Sequence, residues 1–249
     1  MTAIELAESV WLVGSSDQTS PAFTSVYDCN QYLVWDGEHG FLVDVGTGLG
    51  GAAWLANLSA IADPAALTGA LVTHYHGDHA GGVSFATAHG LRAYVGDLTA
   101  AALRDGDETV TQLARARALG IYPSDFALQP VTTVHPIEDF QSLHIGEFRV
   151  TAISAPGHCD GHFVFQTEIG QRSALFSGDV IFAGGAVSMQ ALPDCRLDDY
   201  AETVIGLAEL SIDQLFAGHG EPVLAGASAQ IDASAASFAR LVPPPNFLA

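Results

Sequence analysis

The start of the chain alternates apolar and polar residues with the period of a β-strand. Three stretches carry this pattern, and the turn DGEHG joins the last two: SVWLVGSS, NQYLVW and GFLVDVG. Helical spacing and further strands then alternate in the order GAAWLANLSAIAD, TGALVTH, DHAGGVSFATAH and LRAYVG. The pattern predicts a meandering sheet that continues into alternating strands and helices, as in a βαβ unit with a right-handed crossover.

The later part of the chain returns to strands after a helical interruption. Residues 97–136 hold two helical stretches and a loop-rich segment, which predicts an insertion. Strands resume in DFQSLHIGEFRVTAISAPGH, HFVFQTE and RSALFSGD, and helices follow around LDDYAETVIGLAEL and SAQIDASAASFARL. We therefore expect one α/β domain over residues 1–249 with two sheets and outer helices. The tail PPPNFLA is expected to be extended and without a catalytic part.

An unusual concentration of polar side chains follows the apolar strand TGALVTH. His74 and His76 are one residue apart, so both imidazoles can point to the same side of a strand end. Asp78 and His79 follow within one turn and can reach a second position close by. A pattern HxHxDH is hard to explain as surface hydrogen bonding, so it indicates a metal site.

Three further polar residues stand beside glycine where predicted strands end. They are His158 in SAPGHCDGH, Asp179 in LFSGDV and His219 in LFAGHGEP. Glycine permits sharp turns and close approach, which a crowded metal site requires. Each alone is typical of a strand-to-loop turn. Together with the first cluster they supply five histidines and two carboxylates, the set that a two-metal hydrolytic site needs.

The motifs THYHGDH, GH, SGD and GHG, in this order, resemble those of the metallo-β-lactamase-fold superfamily from Trp11 to about Leu241. The resemblance implies an α/β fold of the four-layer αββα sandwich type, with metals at one edge between the sheets. The ligands it implies are His74, His76 and His158 for the first metal, Asp78, His79 and His219 for the second, and Asp179 as the bridge. It also implies that Asp44 in GFLVDVGTG orients a ligand histidine. A turn aspartate that caps the following backbone is the other interpretation of Asp44.

The same resemblance implies hydrolysis by a metal-bound hydroxide. Two divalent ions lower the pKa of a shared water toward ~7 and polarise a carbonyl group. Asp78 and Asp179 are then the candidate catalytic carboxylates, which handle the proton passed to the leaving group. We expect two ions per chain, Zn²⁺ first, with iron or manganese as alternatives.

Departures from the subfamilies narrow the substrate. The commonest zinc β-lactamases carry an arginine and a cysteine where this chain has His79 and Asp179. The stretch GDVIFAGGAVSMQ lacks the GCGR-type sequence of glyoxalase II and the persulfide dioxygenases. The acyl-homoserine lactonases place a tyrosine just after the bridging aspartate, whereas Val180, Ile181 and Phe182 follow Asp179 here. We expect a small neutral or apolar lactone or carboxyl ester. Thioester or β-lactam hydrolysis, a mononuclear iron persulfide dioxygenase and a non-catalytic metal-binding protein are the alternatives.

Other side chains receive narrower expectations. Apolar residues that either wall a pocket or pack in the core are Ile121, Tyr122, Phe126, Phe182 and Met189. We predict a structural hydrogen bond for His162 and a small buried filler at Cys159. Histidines outside every motif, expected at the surface, are His39, His89, His135 and His144.

Composition restricts the partners and the compartment. With 28 acidic residues, 8 arginines and no lysine, the formal net charge is −20, which opposes binding to nucleic acid. No apolar run approaches the ~20 residues that span a bilayer, and the start lacks a signal-peptide pattern, so no membrane partner is expected. Three widely spaced cysteines fit a reducing compartment. We expect a cytoplasmic protein, a small-molecule substrate and, by default, a homodimer.

Overall fold

A computed structural model describes residues 2–248, which form two compact units. The N-terminal unit comprises Met1–Ile137 with Ile145–Glu147, and the C-terminal unit comprises Glu138–His144 with Phe148–Ala249. Each unit contains one sheet and its own apolar core. Among the described residues, even the longest helix, with 13 residues, is too short and too polar to cross a bilayer.

The sheet of the N-terminal unit has seven strands in sequential order. They are β1 Ile4–Ala7, β2 Val10–Gly14, β3 Gln31–Trp35, β4 Gly40–Val43, β5 Leu67–Val72, β6 Ala93–Gly96 and β7 His135–Ile137. The first four strands pair antiparallel, and β4 to β7 pair parallel. The predicted meander and βα alternation are therefore observed. The short strands β1 and β7 were not predicted, and β7 begins at His135, within the last residues of the expected insertion over 97–136.

Five helices accompany this sheet: α1 Gly51–Ser59, α2 Gly77–Ala80, α3 Val83–Ala88, α4 Asp97–Asp105 and α5 Leu113–Ala118. The single helix expected over DHAGGVSFATAH is divided into α2 and α3. The division occurs at Gly82, whose N–H donates to the carbonyl of Gly46 at 2.8 Å. A Cβ at Gly82 would lie 2.2 Å from the carbonyl oxygen of Val45, so only glycine permits this close approach.

Helix α5 is shorter than the stretch ETVTQLARARALG predicts. The Asp107 carboxylate accepts the backbone N–H groups of Thr109 and Val110 at 2.8 and 3.1 Å, which forms a turn in place of the first helical turn. Gln112 then adopts a left-handed conformation with φ 55°. The helix consequently begins at Leu113.

The C-terminal unit has a five-stranded sheet with the order β12-β11-β10-β9-β8. Its strands are β8 Ser142–Ile145, β9 Phe148–Ser154, β10 Phe163–Ile169, β11 Arg172–Gly178 and β12 Gln214–Ala217, and its helices are α6 Leu197–Leu207 and α7 Ala227–Ala239. Val164, Leu175 and Leu215 are fully buried in its core. This packing fixes the ends of β11 and β12, where Asp179 and His219 follow.

Candidate metal centre

The HxHxDH cluster begins where the buried strand β5 ends. After Val72 the chain leaves the sheet, and His74 is completely buried. His76 precedes the short helix α2, which places Asp78 and His79 on its single turn. His74 and His79 are fully buried and His76 is 8 % exposed. Burying several polar side chains is costly when they bind nothing, whereas metal ligation or hydrogen bonding offsets the cost of their desolvation.

Nitrogen and oxygen atoms of this cluster approach one another in pairs. His74 Nε2 and His76 Nδ1 are 3.0 Å apart. His79 Nε2 and the Oδ2 atom of Asp78 are 3.6 Å apart. Ligands on one tetrahedral zinc are separated by about 3.4 Å, as follows from bond lengths near 2.0–2.1 Å. Both pairs therefore have the spacing of neighbouring ligands.

Asp44 forms hydrogen bonds that hold the predicted ligands in place. Its Oδ2 atom is 2.7 Å from His79 Nδ1, and its Oδ1 atom accepts the backbone N–H of Thr73 at 2.7 Å. The backbone that it caps is that of Thr73, 29 residues further along the chain, and not the following turn of the alternative interpretation. The contact with His79 is the one that the resemblance implies. Asp44 has a left-handed backbone, φ 60°, which costs free energy in a residue other than glycine.

Thr73 extends this network, and the sequence did not single it out. Its hydroxyl donates to the Asp44 carboxylate at 2.9 Å and lies 3.0 Å from His74 Nδ1. A hydroxyl has one proton, so when it donates to Asp44 it accepts from His74 Nδ1–H. The same network thus holds Nδ1 of both His74 and His79, so Nε2 is the nitrogen that each would offer to a metal.

The C-terminal unit holds the other three predicted ligands close together. Asp179 Oδ2 lies 3.6 Å from His158 Nε2, and Asp179 Oδ1 lies 3.6 Å from His219 Nε2. Each oxygen of the carboxylate therefore faces a different histidine. His158 Nδ1 donates to the carbonyl of Ser188 at 2.9 Å, which again directs Nε2 toward the carboxylate.

Asp179 is fixed by its own backbone. Its N–H donates to His162 Nε2 at 3.2 Å, which is the structural hydrogen bond expected of His162. The Tyr200 hydroxyl lies 2.8 Å from the Asp179 carbonyl oxygen and 2.7 Å from that of Val180. Burial raises the pKa of Tyr200 well above its ordinary value, so this hydroxyl stays protonated and donates.

Asp78 has a partner in the segment predicted as an insertion. The Tyr122 hydroxyl donates to Asp78 Oδ1 at 2.7 Å and accepts the Asp78 backbone N–H at 3.1 Å. Burial, and then the neighbouring Asp78 charge, raise the pKa of Tyr122 well above its ordinary value. The sequence named Tyr122 only as an apolar wall or core residue, because its 44-residue separation from Asp78 hides the contact.

The other residues named from the sequence differ in how far they are buried. Phe126 and Phe182 are buried, Ile121 is exposed, and Tyr122 and Met189 are partly buried and packed against the cores. Cys159 is fully buried, as a small filler would be. The four histidines outside the motifs are all exposed, as expected. Cys29, which the sequence did not assign to the site, is buried beside His79, and burial raises the pKa of its thiol.

The donor set fits a divalent metal. Imidazole nitrogens and carboxylate oxygens are ligands that suit zinc, iron and manganese alike. Three of the predicted ligand histidines have Nδ1 fixed by Asp44, Thr73 or a backbone carbonyl, which presents Nε2. This arrangement is typical of metal-binding histidines.

Known proteins resemble this chain over most of its length. The bovine protein named acyl-coenzyme A thioesterase MBLAC2 is 31% identical over 209 residues, which are 76% of this chain and 72% of that protein. An atrochrysone carboxyl ACP thioesterase of Aspergillus fumigatus is 27% identical over 193 residues, and here the chain spans 38% of the longer relative. Each of these names describes the relative.

A solved structure shows the fold. The Cronobacter sakazakii metallo-beta-lactamase with a HARLDQ motif superposes with a TM-score of 0.73 at 18% identity, over 97% of this chain and 94% of that one. The metallo-β-lactamase fold expected from the motifs is thereby confirmed. The family model described as the metallo-beta-lactamase superfamily matches residues 24–219, and the chain belongs to this superfamily.

Proposed function

We propose that this protein is a metal-dependent hydrolase that cleaves acyl thioesters. The observation that supports hydrolysis is the Asp179 carboxylate, which directs one oxygen to His158 and the other to His219 at 3.6 Å. Such a carboxylate suits two nearby cations. The proposed ligands are the seven residues that the family motifs assign: His74, His76, Asp78, His79, His158, Asp179 and His219.

The chain's own residues have separate tasks in this proposal. Two divalent ions, proposed as zinc, supply an activated water and polarise the acyl carbonyl when they are bound. Asp44 and Thr73 keep the proton of the ligand imidazoles on Nδ1. Asp78 and Asp179 hold negative charge beside the reacting group, and one of these two carboxylates is proposed to receive the proton and pass it to the leaving group.

The relatives favour a thioester over the lactone or carboxyl ester that the sequence placed first. The bovine and Aspergillus relatives both carry the name thioesterase. The leaving group is also easier to expel from a thioester. A thiol with a pKa of about 8.5 leaves as a thiolate with little help from an acid, whereas the alkoxide of an ester must be protonated. An uncharged lactone or ester is the second candidate, since the same carboxylates can protonate an alkoxide.

The negative charge of the protein restricts which thiol carriers it is expected to accept. A net charge of −20 creates a field that repels a polyanionic carrier such as coenzyme A. We therefore propose an acyl thioester whose thiol portion carries little negative charge. At low salt, acyl-N-acetylcysteamine should be hydrolysed with a higher kcat/KM than the matching acyl-coenzyme A, and added salt should reduce that difference.

A substrate panel on metal-loaded protein tests the proposal. Thioesters, lactones, aryl esters, β-lactams and phosphodiesters are compared at equal concentration, with metal content measured on the same sample. Two ions per chain and preferential thioester turnover are expected. Preference for lactones or esters would restore the first sequence-based expectation, and one iron with oxygen consumption on a persulfide would favour the dioxygenase. A cytoplasmic location and a homodimer stay predictions.

A further inference from the structure

Tyr122 makes two hydrogen bonds to one predicted metal ligand. Its hydroxyl donates to Asp78 Oδ1 at 2.7 Å and accepts the Asp78 N–H at 3.1 Å. The other carboxylate oxygen, Oδ2, is the one that lies 3.6 Å from His79 Nε2. One oxygen of Asp78 is thus held by tyrosine, and the other faces the second ligand of the same predicted metal.

The ring of Tyr122 is held in place over the motif itself. It packs against Phe126 with ring centroids 5.1 Å apart. A Cβ at Gly77 would lie 2.8 Å from the Phe126 ring and 3.3 Å from that of Tyr122. The glycine between His76 and Asp78 therefore provides the space in which the two aromatic rings approach the ligand turn.

A salt bridge also restrains the loop that carries Tyr122 and Phe126. Arg117 pairs with Glu108, with one Nη1–Oε1 distance of 2.8 Å, and donates to the backbone carbonyl of Phe126 at 2.6 Å. Bidentate arginine geometry restricts the loop that follows α5. Tyr122 lies within this restricted loop. Because the loop is already ordered, holding the hydroxyl against Asp78 costs little further conformational entropy when a metal binds.

We propose that Tyr122 is a positioning residue that fixes the rotamer of Asp78, so that Oδ2 alone is presented to the second metal. The inference rests on the proposed metal-dependent function and concerns this chain's own tyrosine. A hydrogen bond to a carboxylate from a fixed neutral donor restrains it, and loss of such an outer partner typically lowers metal affinity about 10–100-fold. The effect should be confined to the metal that Asp78 holds.

Titration with Co²⁺ tests this role without any substrate. Tyr122→Phe removes one oxygen atom and keeps the ring that packs on Phe126. In the metal-depleted full chain, visible absorption should follow two binding steps, and the variant should weaken the second step about 10–100-fold while the first is unchanged. Tyr94→Phe is the matched control, because Tyr94 lies on β6 and stacks on His135, a histidine outside the predicted ligand set, with centroids 5.1 Å apart.

A thermodynamic cycle separates positioning from a general structural effect. If Tyr122 acts through Asp78, Tyr122→Phe should weaken Co²⁺ binding in wild type and add nothing in an Asp78→Asn background. At saturating metal, kcat should recover while KM stays at its wild-type value. Unchanged Co²⁺ affinity in Tyr122→Phe, equal weakening of both steps, or additive effects in the double variant would overturn the proposal. Because metal binding is read directly, failure of the thioester panel leaves this test intact.

Discussion

Asp44 Oδ2 lies 2.7 Å from His79 Nδ1, and both side chains are almost completely buried. The carboxylate keeps the imidazole proton on Nδ1, so Nε2 is the nitrogen that a metal would meet. Asp44 reaches this position in a left-handed backbone conformation. A residue that is strained and fully hydrogen-bonded behind a ligand is typical of a functional site.

Asp44→Asn should lower metal affinity about 10–100-fold. The amide keeps the shape but removes the charge that favours Nδ1–H, and its Nδ2 group directs donors at His79 or Thr73. Chelator competition on the purified protein measures the affinity. Asp63→Asn is the matched control, since Asp63 is exposed, lies outside the predicted ligand set and accepts the N–H of Ala65 with its carboxylate. An Asp44→Asn protein with wild-type affinity would contradict the orienting role.

Thr73→Val should destabilise the folded protein before any metal is added. The methyl group leaves His74 Nδ1 and part of the Asp44 carboxylate without the hydroxyl at 3.0 and 2.9 Å. A buried polar group left without its hydrogen bond costs about 1–3 kcal/mol. Urea unfolding of the metal-free protein measures this loss. Thr73→Ser retains the hydroxyl and should recover most of the stability, which a purely steric effect of the substitution would not allow.

Glu108 predicts a pH dependence of stability. The hydrogen bond and charge of Arg117 lower the pKa of Glu108 below its ordinary value of 4.5. A lowered folded-state pKa stabilises the fold above the unfolded pKa, and the contribution disappears as the pH falls through the folded value. Wild type should therefore have a higher urea midpoint than Glu108→Gln at about pH 7, and the difference should decrease as the pH falls below 4.5. Because both side chains of the pair are partly exposed to solvent, the difference should be small and reduced by salt.

Features of this protein that depend on neighbouring residues were predicted from the sequence, and features that depend on contacts between distant residues were not. Asp179 and the HxHxDH cluster were predicted as ligands because polar residues stand beside glycine at strand ends, a local pattern. The contact of Thr73 with Asp44 and that of Tyr122 with Asp78 were not predicted, because each joins residues far apart in the sequence. The division between α2 and α3 likewise depends on Gly82 lying against Val45, a contact that helical periodicity does not record.

The substrate is predicted less well than the fold for a related reason. The stretch after Asp179 indicates which subfamily features are absent, but Phe182 is buried and stacks on Phe247 with centroids 4.3 Å apart. The Phe247 ring also lies 6.4 Å from that of His219. The tail that the sequence placed outside the chemistry thus contacts the loop of a predicted ligand. Apolar composition alone does not distinguish such a contact from ordinary core packing.

Asp179→Asn is the sharpest test of the bridging assignment. The amide retains the side-chain shape, and the backbone N–H that donates to His162 is unaffected, so the fold should persist. The variant loses the negative charge that two nearby cations require. It should bind at most one metal tightly, and turnover should fall at least about 100-fold, since the carboxylate supports both the nucleophile and the polarised carbonyl. Metal analysis after dialysis, together with kcat, measures both effects.

Asp160→Asn supplies the control for that experiment. Asp160 lies outside the ligand set and pairs with Arg196 at 2.5 Å, and Arg196 keeps Asp199 as a second partner. Loss of one pair at a partly exposed arginine costs little, because surface ion pairs contribute about 0–1 kcal/mol. Asp160→Asn should therefore keep both metals and wild-type turnover. If Asp179→Asn did the same, Asp179 would not bridge two ions, and a one-metal site would become the better account of this chain.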